Sequence, residues 1–203
     1  MKKQVYISAD YSKEHGDYEV VEVLNKWGND DKHIVDFIDM SKVVSGSVSK
    51  DPDCRSCDLK SEFNRQINAS SAVIFIVGDR TASRTAGSNC SRANGNQIWY
   101  PCTPYKQNTN GYKYCKRASR NYYGYSSDVD EINTYSYLRH EFEQAKRKNK
   151  QIVIVYNSTR NEERWLPSYM KGYESYAMPF WTFDNYGRKV GNYSKIKEVL
   201  GYA

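Results

Sequence analysis

One carboxylate in this sequence stands out as a candidate for chemistry. Glu141 lies in the segment 135–145, whose apolar residues recur at helical spacing as Leu138, Phe142 and Ala145. Glu141 falls at the edge of this stripe and is predicted to face the ends of the neighbouring strands. A carboxylate held beside a core is a candidate for function, whereas most glutamates on helices are solvated. Glu141 is therefore the candidate catalytic residue, and the alternative is a solvated helix carboxylate.

Further polar residues stand directly after apolar, strand-like runs. Such side chains can hydrogen-bond a ribose or a phosphate, or they can cap the helices that follow. For Arg84 the alternatives are a pyrophosphate contact or a structural ion pair with Glu141 or Asp79. The predicted substrate-binding residues are Ser8, Tyr11, Asp39, Ser41, Gly78, Thr81 and Arg84.

Alternating strands and helices must position these residues. The predicted strands are 4–8, 33–39, 72–78, 151–156 and 179–183. The predicted helices are 17–27, capped by Asp17 and stopped by Gly28, then 58–67, 135–145 and 193–200, and a turn is predicted over 184–187. Continuous apolar runs indicate parallel strands covered on both faces, and right-handed crossovers then give a doubly wound, flavodoxin-like α/β sheet in the order 2-1-3-4-5. Ligands of such sheets bind beyond the carboxyl ends of the strands, between strands 1 and 3.

A long insertion interrupts this pattern. Residues 85–134 are rich in Asn, Tyr, Gly, Ser and Cys and show little periodicity. A loop of that length without structure is improbable inside a compact domain. We therefore predict a single domain over 1–203 that carries residues 85–134 as a small subdomain or lid.

Charge and composition exclude several classes of protein. The net charge is +6, but Lys and Arg are spread along the chain, and the compact cluster 146–150 closes a predicted helix, where cations complement the helix dipole. We therefore predict no nucleic-acid partner. No apolar segment approaches the roughly 20 residues that span a bilayer, no secretory signal is recognisable, and five cysteines suit a reducing cytoplasm. The chain lacks a G-x-G-x-x-G motif and a P-loop, which argues against a Rossmann oxidoreductase or a nucleoside triphosphatase.

The cysteines raise the question of a metal. Cys54 and Cys57 have the spacing of zinc ligands, but the gaps to Cys90, Cys102 and Cys115 are irregular. Free thiols are the predicted state, and no metal or cofactor is predicted, with structural zinc as the alternative. The histidines form no recognisable cluster, and His140 is predicted to be exposed.

The order of several short motifs resembles that of TIR-like domains. The motifs are Val5-Tyr-Ile-Ser8, Phe37-Ile-Asp39-Met-Ser41, the run from Ile67 to Gly78, Thr81-x-x-Arg84, and Tyr137-Leu-Arg-His-Glu141-Phe-x-x-Ala145. The closest likeness is to the branch that includes the ThsB proteins of Thoeris anti-phage defence. The sequence departs from that branch in its insertion and in Tyr137, where the family has a Trp.

The resemblance implies an activity. In such domains the glutamate that matches Glu141 cleaves the N-glycosidic bond of NAD, and the products can be cyclic ADP-ribose isomers that activate a separate effector. A fixed carboxylate can stabilise the ribose oxocarbenium ion, and the insertion could act as the lid that keeps water from it. Self-association is also implied. The alternatives are a non-catalytic TIR-like interaction module and an enzyme of the nucleoside deoxyribosyltransferase kind.

Overall fold

The fold is that of a computed structural model, which describes residues 3–11, 16–30, 35–38, 48, 52–84, 90, 99–101, 112–115 and 135–201. The predicted site residues Asp39 and Ser41, and most of the insertion that was predicted to form a lid, lie outside these ranges. Contacts divide the chain into two compact units. The first comprises Met1–Lys42, Gln66–Arg84 and Glu141–Ala203, and the second comprises Val43–Arg65 and Thr85–His140.

The structure describes nine strands and four α-helices. The strands are β1 (Lys3–Ser8), β2 (Val35–Ile38), β3 (Ala72–Val77), β4 (Trp99–Pro101), β5 (Tyr112–Tyr114), β6 (Gln151–Tyr156), β7 (Ala177–Pro179), β8 (Trp181–Phe183) and β9 (Lys189–Gly191). The helices are α1 (Tyr18–Asn29), α2 (Pro52–Ala69), α3 (Tyr137–Arg147) and α4 (Tyr193–Val199), with short 3-10 turns between β3 and β4 and between β6 and β7.

The first unit is built on a parallel sheet. Its five strands lie in the order β2-β1-β3-β6-β7, and every pairing is parallel. All six side chains of β3 are buried, as expected for a central strand covered on both faces. The predicted fold class, a doubly wound flavodoxin-like sheet in the order 2-1-3-4-5, is confirmed. This topology brings the carboxyl ends of β1, β3 and β6 to one edge.

Helix α1 continues one residue past the predicted stop. Gly28 lies inside the helix, which ends at Asn29, so the prediction that Gly28 terminates it is wrong. A Cβ at position 28 would lie 3.0 Å from the backbone nitrogen of Phe37 in β2. The glycine therefore permits the helix to approach the strand closely.

The fifth strand differs from the prediction of 179–183. The sheet ends with Ala177–Pro179, and Trp181–Phe183 instead pairs antiparallel with Lys189–Gly191. Pro179 has no N–H to extend the ladder, and the predicted turn over 184–187 folds the chain back into a hairpin. Its Asp184 carboxylate accepts hydrogen bonds from the backbone nitrogens of Tyr186 and Arg188, both at 2.9 Å.

In the second unit, α2 begins at Pro52 rather than at the predicted residue 58. A proline is favourable at the first helical position because its missing N–H has no helical partner there. The prediction that His140 is exposed is also wrong, because its side chain is fully buried. Its Nε2 lies 2.9 Å from Oδ1 of Asn64 and 3.2 Å from the carbonyl oxygen of Lys60. No helix in the described part of the chain is long and apolar enough to span a membrane.

Candidate functional site at the carboxyl ends of the strands

Glu141 reaches the carboxyl end of the first strand. Its side chain is 2% exposed. Oε1 accepts a hydrogen bond from Oη of Tyr6 at 2.5 Å, and Oε2 accepts one from the hydroxyl of Ser8. Tyr6 and Ser8 are two residues apart on one strand, so they project from the same face of the sheet. These two hydrogen bonds join Glu141 of helix α3 to the last three residues of β1.

The register of α3 explains why Glu141 points inward. Phe142 and Ala145 are completely buried, and Gln144 is 5% exposed, so the inner face of the helix is wider than its apolar stripe. Phe142 contacts Phe75 of β3 edge to face, with ring centroids 5.3 Å apart. This contact fixes the rotation of the helix and leaves the adjacent Glu141 directed at β1.

The environment of Glu141 disfavours its charged form. Burial raises the pKa of this carboxyl from 4.5 to about 7, although the hydrogen bonds from Ser8 and Tyr6 lower it. A group with such a pKa exists in both protonation states near neutral pH. That is the range in which a carboxyl can serve as an acid, as a base or as a fixed charge.

A cavity of about 190 Å³ lies at the same edge of the sheet. Residues that follow β1, β3 and β6 surround it, including Asp10, Asp17, Gly78, Thr81, Asn157 and Trp165. Glu141 is not among the residues that line it. The polar residues at the strand ends therefore line a small cavity, while the carboxylate of Glu141 is buried away from it.

A chain of hydrogen bonds holds Asp17 in the wall of this cavity. Nε1 of Trp181 donates to Oδ1 of Asn157 at 2.7 Å, and Nδ2 of Asn157 donates to Oδ1 of Asp17 at 3.1 Å. Asp17 is 3% exposed. Burial raises its pKa to about 6, the bond from Asn157 lowers it, and the charges of Asp10 and Asp79 raise it.

Gly78 provides room for that carboxylate. A Cβ at position 78 would lie 2.5 Å from Oδ1 of Asp17, which is closer than any real contact permits. The backbone nitrogen of Gly78 donates to Oγ1 of Thr81 at 2.8 Å. Gly78 and Thr81 are thus part of the cavity wall, and the glycine is needed for space.

Two other predicted residues make contacts within the protein. Arg84 forms an ion pair with Asp10. The sequence had suggested Glu141 or Asp79 as its partner in a structural ion pair. Oη of Tyr11 donates to the carbonyl oxygen of Ile7 at 2.8 Å.

Sequence reasoning missed the residues that surround the two carboxylates. Asn157 directly follows β6, so the rule that selected polar residues at the ends of strands, such as Ser8 in β1, applies to it equally. Tyr6 could have been found two residues before Ser8 on the same face of the strand. Asp17 was interpreted as a helix cap; it precedes α1, but its side chain makes no capping hydrogen bond.

The described cysteines carry no disulfide. Cys57 and Cys90 are buried, and Cys115 is partly buried. Across the described ranges, no group of three or more His, Cys, Asp or Glu residues is arranged to hold a metal ion. Cys102 and the side chain of Cys54 lie outside the described part of the structure, so the absence of zinc stays a prediction.

Comparisons with known proteins complete the description. No protein-family model matches the chain, and no curated protein matches it at a significant level. A solved structure described as the crystal structure of a prokaryotic SEFIR domain is similar over 98% of this chain and 94% of that one, with 14% sequence identity and a TM-score of 0.42. The fold described above rests on the strand order and the parallel registers of the chain itself.

Proposed function

We propose that this chain is a TIR-like enzyme that cleaves the N-glycosidic bond of NAD, with Glu141 as its catalytic carboxylate. The product, ADP-ribose or a cyclic isomer of it, would act as a signal to a separate effector in anti-phage defence. One observation carries the proposal. A buried carboxyl with a pKa of about 7 reaches Ser8 at the carboxyl end of β1, beside β3, where sheets of this topology bind ligands.

The reaction needs a fixed negative charge more than a strong acid. The bond between C1′ of the ribose and the pyridinium nitrogen breaks, and nicotinamide leaves as a neutral molecule with the bonding pair. The remaining oxocarbenium ion is stabilised by the ionised form of Glu141. Attack by water gives ADP-ribose and a proton, whereas attack by a nitrogen of the adenine gives a cyclic product.

Catalysis by Glu141 requires an exchange of hydrogen bonds. Both of its carboxylate oxygens already accept one, from Tyr6 and from Ser8. The hydroxyl of Ser8 is the simpler one to redirect, since rotation about a single bond turns it from the carboxylate towards a ribose oxygen. In this proposal Tyr6 keeps the carboxylate in position, and Ser8 exchanges its bond for a substrate contact.

The same burial supports a second candidate function, a non-catalytic TIR-like interaction module. Glu141 is 2% exposed and does not line the cavity. In a non-catalytic module it would be a core group whose two hydrogen bonds attach α3 to β1. Such a bond pair would contribute to stability alone.

Incubation with NAD separates the two candidates. We expect the wild-type protein to release nicotinamide. The Glu141→Gln variant should release it at least about 100-fold more slowly, because the charge that stabilises the cation is gone. Glu143→Gln is the matched control, since Glu143 lies on the same helix and pairs with Lys146 at 3.5 Å; it should keep the wild-type rate. Absence of release by the wild type would exclude the enzymatic candidate, and equal release by the wild type and Glu141→Gln would exclude Glu141 as its catalytic residue.

A further inference from the structure

The cavity that Asp17 lines offers a ligand polar groups other than Glu141. We infer that it is a ribosyl-binding site, in which the carboxylate of Asp17 accepts a hydrogen bond from a hydroxyl of a pentose. Glu141 and Ser8 do not line this cavity, so the ribose assigned to it is the terminal ribose of the ADP-ribose product after nicotinamide has left, and the inference rests on the proposed function. Asp17 is therefore a further ligand-contacting residue, which the family resemblance did not mark.

The size of the cavity limits what it can hold. Pockets for whole drug-sized ligands measure roughly 300–1,000 Å³, whereas this cavity measures about 190 Å³. It can therefore take one ring of a dinucleotide and not the entire molecule. Its position at the carboxyl ends of β1, β3 and β6 is where the nucleotide of a doubly wound sheet would be expected.

One oxygen of Asp17 is left for a ligand. Oδ1 accepts from Asn157, and Asn157 is itself held by Trp181. Oδ2 accepts no hydrogen bond from the residues that the structure describes. An ionised carboxylate has about four acceptor positions and no donor, so a buried one with a vacant oxygen suits a ligand that donates. Sugar hydroxyls are such donors.

The other walls fit a phosphorylated sugar better than an apolar ligand. Asp79 adds a second carboxylate and Arg80 a guanidinium, and both residues are exposed at the cavity. Carboxylates accept from hydroxyls, and guanidinium groups bind phosphate. Trp165 supplies an aromatic surface for one face of a ring. A pentose that carries a phosphate uses all of these groups.

The buried charge of Asp17 destabilises the fold, so a purely structural role explains this residue poorly. Its carboxylate is desolvated and is repelled by the charges of Asp10 and Asp79, and the attraction of Arg84 offsets only part of this. An asparagine would have the same shape without the charge. Asp17→Asn should therefore raise the thermal midpoint at pH 8 while it weakens the binding of a sugar, which is the exchange of stability for function seen in binding sites.

The test compares ADP-ribose with ADP, which lacks the terminal ribose, by titration calorimetry at pH 8. In the wild type we expect ADP-ribose to bind roughly tenfold to 100-fold more tightly, as expected for a hydrogen bond to a charged group. In Asp17→Asn this difference in affinity between ADP-ribose and ADP should largely disappear. Glu19→Gln, at the exposed start of the same helix, should keep it.

Each result decides the inference. Equal affinities for ADP-ribose and ADP in the wild type, or an unchanged gap in Asp17→Asn, would overturn the ribosyl site. Tight binding of a small cation such as Mg²⁺ or 1-methylnicotinamide in place of ADP-ribose would do the same. If Asp17→Asn does not fold, Trp165→Leu takes its place, and the same closing of the gap is expected. Since binding of ADP-ribose requires no turnover, the inference can hold even if no nicotinamide is released, and it can fail while release continues.

Discussion

Oη of Tyr6 lies 2.5 Å from Oε1 of Glu141 and connects two residues that are 135 positions apart in the sequence. The bond joins the centre of helix α3 to strand β1 inside the core. With Ser8 it gives the buried carboxyl two donors, which oppose the effect of burial on its pKa. The stability and the protonation of Glu141 therefore both depend on residues of the first strand.

Replacement of Tyr6 tests this connection. Tyr6→Phe removes a donor from a buried carboxylate oxygen, which typically costs about 1–3 kcal/mol of the free energy of unfolding. It should also raise the pKa of Glu141 further, because the Tyr6 bond favours the charged form. Urea denaturation measures the first effect, and the pH dependence of NAD cleavage measures the second. Tyr186→Phe, on an exposed hairpin residue, is the control and should change neither. A Tyr6→Phe variant with wild-type stability would show that the bond contributes nothing.

The raised pKa of Glu141 predicts how stability changes with pH. The carboxyl has a pKa of 4.5 in the unfolded chain and about 7 in the folded one, so the folded state binds the proton more tightly. Its stabilising contribution is complete below pH 4.5 and is lost as the pH rises to about 7. Relative to Glu141→Gln, the wild type should lose about 3 kcal/mol between pH 4.5 and pH 8. Denaturation at the two pH values measures this, and a pH-independent difference would contradict it.

Gly78 should tolerate no side chain while Asp17 is present. Gly78→Ala would set a methyl group 2.5 Å from the Asp17 carboxylate, and such overpacking costs roughly 1–3 kcal/mol. Adding Asp17→Ala should restore part of that loss. Gly172→Ala is the contrasting control, because residue 172 has a φ of +89° with open space around it, so its cost is conformational. Thermal unfolding of the single and double variants measures both, and an equal response of the two glycines to Asp17→Ala would refute the steric explanation.

Arg84 offers a test between its two roles. Its ion pair with Asp10 is partly exposed, and pairs of that kind contribute about 0–1 kcal/mol. Arg84→Ala should therefore leave the thermal midpoint nearly unchanged. A large rise in KM for NAD without loss of stability would assign Arg84 to the pyrophosphate, as the sequence suggested. A large loss of stability would show that the ion pair is structural instead.

The sheet could be predicted from the sequence because its signals are local. The apolar runs 72–77 and 151–156 mark buried parallel strands, and the crossover rule then leaves few strand orders. The fifth strand was placed two residues too late because Pro179 ends the ladder and Trp181 begins a hairpin. Either side of Pro179 the chain is rich in aromatic residues, so hydrophobicity alone did not locate the break.

The details of the site could be predicted less well because they depend on contacts between distant residues. Ser8 and Glu141 were both selected, but the burial of the carboxylate follows from Phe142 packing on β3, which periodicity does not reveal. Asp17 was assigned to a helix cap, and the bond from Asn157, 140 residues away, is what directs it to the cavity. His140 was predicted to be exposed because its helical position lies off the apolar stripe. Its hydrogen-bond partner Asn64 is polar, so the hydrophobic periodicity of the sequence did not indicate the contact.

The most direct test of the account is the rate of nicotinamide release from NAD as a function of pH. If the ionised form of Glu141 stabilises the cation, the rate should rise about tenfold per pH unit up to about pH 7 and then level off, and Glu141→Gln should show neither the rate nor the rise. A rate that is flat from pH 5 to pH 8, or release that survives in Glu141→Gln, would contradict the claim that this residue does the chemistry.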